Sequence, residues 1–91
     1  MAQQETNQPQ ELQGKIQIRN AVLIFCKDAS TPLVLYFDNA QKIYEDVNAL
    51  INSTETKMVE FEPIGPIKKA AVLSSNIISV ALQEERYLVQ E

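Results

Sequence analysis

Ninety-one residues, 45% hydrophobic and 22% charged with a formal net charge of −4, describe one ordinary globular domain and not a strong nucleic-acid binder. The absence of histidine excludes an imidazole base, Ser-His and Cys-His pairs and a His-ligated metal. A single cysteine, Cys26, excludes an internal disulfide and a thiolate zinc site, and two glycines cannot build a P-loop or a dinucleotide fingerprint.

The chain is therefore expected to be non-enzymatic, with no cofactor and no metal. A domain of this length buries only roughly 60% of its unfolded surface and offers little wall for a deep pocket. No apolar run nears the roughly 18 residues that span a bilayer, and the first residues lack the charged and apolar regions of a secretory signal. A cytoplasmic protein without membrane contact is the default expectation, and one unpaired cysteine fits a reducing compartment.

Residues 1–14, MAQQETNQPQELQG, read as a disordered Gln-rich tail, because Leu12 is the only large aliphatic after Met1. The folded domain is expected over 15–91. Lys15 to Lys27 alternates as a strand: Ile16, Ile18, Val22, Ile24 and Cys26 share one face, and Asn20 interrupts them. Thirteen residues exceed a typical strand, so a bulge or break is expected near Asn20. Asp28 to Pro32 has turn composition, and Leu33–Phe37 follows as a buried strand, antiparallel to the first.

Ala40, Ile43, Tyr44, Val47, Leu50 and Ile51 recur at helical spacing, and Asp38 with Gln41 reads as a capping-box-like start. Lys57 to Glu62 alternates again, with Val59 and Phe61 on one face and Met58, Glu60 and Glu62 on the other. Pro63-Ile64-Gly65-Pro66 forms a turn in which Gly65 takes the positive φ of a type II turn. Ile67–Leu73 returns as a strand, Ser74-Ser75-Asn76 turns, and Ile78, Val80 and Leu82 mark a fifth strand. Residues 83–91 read as a flexible C-terminal tail, with Tyr87-Leu88-Val89 either a short edge strand or a sticky end. The expected fold is a small single α+β domain of order β-β-α-β-β-β. A curled, mostly antiparallel sheet carries one amphipathic helix on one face.

Several side chains invite a chemical role. Cys26, among apolar neighbours, is better explained as a small core residue than as a reactive thiol. Ser74 and Ser75 after Lys68 and Lys69 suggest a Ser-Lys nucleophile but are sufficiently explained as a turn. Glu60 and Glu62 are expected to form a solvated strand face.

Candidate binding residues are Arg19, Ile64, Lys68, Lys69 and Tyr87. Arg19, Lys68 and Lys69 contribute to a mildly basic sheet side. The strands and first hairpin hold six basic against three acidic residues, and the helix with its flanks one against four. Ile64 is the apolar tip of a stiff turn, and the segments Lys15–Arg19 and Tyr87–Val89 are candidate sheet edges. The leading expectation is an interaction module that binds another protein or a second copy through a sheet edge or the Pro63–Pro66 turn. The alternative is a weak nucleic-acid or polyanion binder on the basic side.

Overall fold

The computed structural model describes residues 10–90 of the backbone and residues 15–89 with their side chains. The order is β1 (Gln10–Cys26), β2 (Leu33–Tyr36), α1 (Ala40–Ile51), β3 (Met58–Phe61), β4 (Ala70–Leu73), a 3-10 turn (Ser74–Asn76) and β5 (Ile77–Gln90). The expected β-β-α-β-β-β arrangement with one helix and antiparallel pairing holds. The strands divide between a three-stranded sheet, β2-β1-β5, and a two-stranded sheet, β3-β4, joined by one bridge between Tyr36 and Ile64.

Alternation along β1 sets two faces. Val22 and Ile24 point to the inner face, where they meet Leu35 of β2, Phe37, Ala40 and Val47 of α1, Phe61 of β3 and Ile77 of β5 in one buried cluster. Cys26 is half-buried and packs against this cluster, so its setting is that of a small hydrophobe. The helix presents Ala40, Ile43, Tyr44, Val47 and Ile51 to the same core, as its spacing predicts, while Leu50, expected on that face, is half-buried outside the cluster. Val59 and Phe61 reach it from β3 while Met58, Glu60 and Glu62 stay exposed, and Phe37 and Phe61 meet with ring centroids 6.3 Å apart.

Several expectations need correction. β1 runs unbroken through Asn20, and the one register shift in its pairing with β5 falls at Phe25/Cys26, where Ile78 is the extra residue. Asn20 interrupts the apolar alternation because β2 ends there: Phe37 N donates to Asn20 O at 3.2 Å. The helix starts one residue later than a cap at Asp38 requires. Asn39 is its N-cap and makes no side-chain capping bond, and Gln41 donates to Glu45 at 2.9 Å instead of reaching back. The strand expected over 67–73 is confined to Ala70–Leu73.

Phe25 is half-buried at an outer-face position. Of the segment read as a tail, residues 10–14 belong to β1, while 1–9 lie outside the described residues. At the C-terminus, of the two readings of Tyr87-Leu88-Val89 the strand is the one found. Residues 83–90 continue β5, paired from Gln83↔Ala21 to Gln90↔Gly14. The positive φ at Gly65 appears as expected, at 93°.

Ser74 is buried, and its bonds close the seam between β3 and β4. Its Oγ accepts from Lys57 N at 2.9 Å and donates to Glu55 O at 3.4 Å, while Ser74 N donates to Lys57 O at 2.8 Å. These partners give the buried serine a structural role. Replacing it by alanine strands a backbone amide in a partly buried place. Ser74→Ala is expected to lower unfolding stability by about 1–3 kcal/mol, measured by urea denaturation.

Candidate interaction surface: the β1–β5 ribbon

Strand β2 pairs with β1 only from Ala21 to Ile24, whereas β5 pairs with it from Cys26 to Gly14. Beyond Asn20 the β1–β5 pair therefore leaves the body as a two-stranded arm, and the molecule measures 62 × 24 × 22 Å. On the arm's inner face Ile16 faces Leu88 and Ile18 faces Arg86. No helix among the described residues covers this part, and Ile16, Ile18 and Leu88 stand 65%, 55% and 55% exposed. Contiguous apolar side chains at this exposure mark a surface that gains by being covered.

The outer face carries the most developed side-chain cluster, at the junction of arm and body. Arg19 lies directly opposite Glu85, and its Nη2 bonds Glu85 Oε1 at 3.1 Å. The guanidinium stacks 4.1 Å from the Tyr36 ring centroid and lies 5.3 Å from that of Tyr87. The Tyr36 hydroxyl donates to Glu85 Oε2 at 3.3 Å, and Gln83 Nε2 donates to the same oxygen at 2.9 Å. Ala21, opposite Tyr36, is fully buried in this surround. Arg19 Nε is buried without a hydrogen-bond partner among the described groups, a cost that stacking and the ion pair offset. The bond from Arg19 holds the Glu85 carboxyl below the ordinary glutamate value, and the bond to Glu85 raises the Arg19 guanidinium further above its own.

Two of the residues singled out in the sequence, Arg19 and Tyr87, thus meet in one cluster. A third, Ile64, joins its margin: Ile64 N donates to Tyr36 O at 2.8 Å, and a Cβ placed on Gly65 would touch the Tyr36 ring at 3.8 Å. The turn docks on Tyr36 and leaves Ile64 46% exposed. Lys68 donates to Gly65 O at 3.1 Å and braces that turn, and Lys69 is exposed. Sequence reasoning missed Tyr36 and Glu85. Tyr36 sits in an apolar run that gives no face, and Glu85 lies in a stretch that reads as solvated chain.

The ladder also shows which way the peptide groups of β5 point. Asn20 and Phe37 are opposite one another and hydrogen-bonded, so even positions of β1 turn their N–H and C=O toward β2 and odd positions toward β5. By the same alternation the even positions of β5, Val80 to Gln90, turn theirs away from β1. No described strand lies on that side.

Elsewhere a surface depression of about 480 Å³ opens beside the end of α1, between Asp46, Ala49, Leu50, Ser53, Glu55 and Lys57. Among the described residues no cluster of His, Cys, Asp or Glu could hold a metal, and no helix is long and apolar enough to cross a membrane.

The pH response of the junction follows from its geometry. Glu85 has a lower pKa folded than unfolded, so its ion pair contributes stability above the ordinary glutamate value of 4.5 and loses it as pH falls through the folded value. Urea unfolding of Glu85→Gln across acid pH is therefore expected to show a shallower decline below 4.5 than the parent chain. Parallel declines would show that Arg19 draws nothing from Glu85. No protein family, curated protein or solved structure matches this chain, so the reading of the surface rests on its own geometry.

Proposed function

We propose that the chain is a non-enzymatic interaction module that binds a polypeptide by strand addition along β5. The observation that carries this reading is the 14-residue β5 at the sheet margin, with outward-facing peptide groups from Val80 to Gln90. A strand of that length far exceeds the usual five or six residues, and an open edge recruits a further strand. Exposed Leu82 and Leu88 flank the charged stretch Glu84–Arg86 on the same strand, which supplies side-chain contacts to accompany the backbone bonds. The Pro63–Pro66 turn is a weaker candidate, because its backbone is already engaged with Tyr36. A polyanion site has less support, since Arg19 is occupied by Glu85 and Lys68 by the turn.

A proline at an outward-facing position removes one donor from the edge and none from the β1–β5 ladder. Tagged full-length chain, passed through a lysate of its source, is expected to retain protein that resists nuclease and high salt. Leu88→Pro is expected to lose that material while Ile64→Ser keeps it. The reverse pattern moves the site to the turn, and loss to nuclease or salt moves it to the basic residues.

A further inference from the structure

We infer that the polypeptide added to β5 is a second copy of the same chain, paired β5 to β5 about a two-fold axis at Glu85. This inference rests on the edge reading above. Two copies of one strand related by a two-fold axis normal to the sheet run antiparallel and keep inner face with inner face. Each residue then faces a residue of the copy at the same distance on the other side of the axis, so the axis residue alone defines the register.

The charges of β5 discriminate among registers. An axis at Glu84 sets that carboxylate against its own copy and Arg86 against Leu82. An axis at Arg86 sets the guanidinium against itself and Glu84 against Leu88. An axis at Glu85 alone places Glu84 opposite Arg86 of the copy, twice by symmetry, and Leu82 opposite Leu88, also twice. Both Glu84 and Arg86 are exposed inner-face residues that bond one another within the chain at 3.0 Å, ready to complete a four-charge cluster.

On the outer face this register brings the two Glu85 carboxylates together, the one like-charge contact in the ladder. Each already carries its own counter-ion, Arg19, at 3.1 Å. The shared ladder extends from Val80 to Gln90, the whole outward-facing span of β5 beyond the bulge at Ile78. It joins two three-stranded sheets into one of six, in the order β2-β1-β5-β5-β1-β2.

The same pairing accounts for the bare inner face of the arm. Gln90 falls opposite Val80 of the copy, and Val80 packs on the core where α1 lies over β5. Each arm therefore runs alongside the other body, and Leu88, with Ile16 one strand further out, arrives beside the other helix. Leu88 meets Leu82 there, and both are exposed in the single chain.

The full chain at about 50 µM, a concentration that populates any micromolar dimer, is expected to sediment near twice 10.3 kDa. Glu84→Arg sets arginine against arginine at two symmetric places and is expected to weaken the dimer on the order of ten- to a hundredfold. Adding Arg86→Glu restores the complementary pairs and the dimer. In a Cys26→Ala background, Leu82→Cys and Leu88→Cys variants are expected to cross-link when mixed and not singly, with circular dichroism confirming that each folds. A monomeric parent chain overturns the self-pairing, as does a dimer indifferent to Glu84→Arg or a cross-link within either single variant. If the parent is monomeric while its lysate capture remains sensitive to Leu88→Pro, the edge reading stands and only the identity of the added strand falls.

Discussion

The register of β1 against β5 is the constraint from which the rest of the molecule follows. Side chains alternate across a strand, so a slip of one residue would turn Val22 and Ile24 outward and carry Arg19 and its neighbours into the core. In the observed register the even positions of β1 build the buried cluster under α1 and β3, while the odd positions set Arg19 against Glu85 and Gln17 against Tyr87. The pairing outruns β2 at Asn20, so the same ladder that organises the core also makes the arm.

Elements with cover on one face were readable from the sequence. The helix and β3 each bury one face and wet the other, and Ile43, Val47, Val59 and Phe61 announce that pattern at periods of 3.6 and 2. The far half of β5 gives no such signal. An arm with no layer packed over it accepts polar side chains on both faces, so Gln83-Glu84-Glu85-Arg86 reads as solvated chain and yet forms a strand. Its partner, Arg19 for Glu85, lies 66 residues away, and local pattern cannot reveal a pairing at that range. Tyr36 was hidden for a different reason: in a continuous apolar run, no neighbour says which face a ring takes.

The junction cluster shows how a small domain sends an arm away from its core without leaving the branch point loose. Tyr36 closes β2, Arg19 opens the arm of β1, and Glu85 joins both across the ladder. These contacts replace the hydrophobic cover that stops at Val22, and the turn at Gly65 lies against Tyr36. Arm and body are thereby oriented by side chains of three strands. An isolated two-stranded ribbon is marginal in water, so such a hinge point is where its rigidity has to originate.

The separation of β1 and β5 along the chain also shapes how the molecule comes into being. While a ribosome is making the protein, β1 can pair with β2 as soon as Tyr36 has emerged, but its other side waits for Ile77–Gln90. Throughout that interval the future central strand is an unprotected margin, with Val22 and Ile24 short of their full cover. Pairing at long range closes large loops and is slow, and unpaired strands invite intermolecular association in the meantime. The nascent chain is thus most exposed to misassembly just before its last strand appears, and its native sheet is completed from the middle outward.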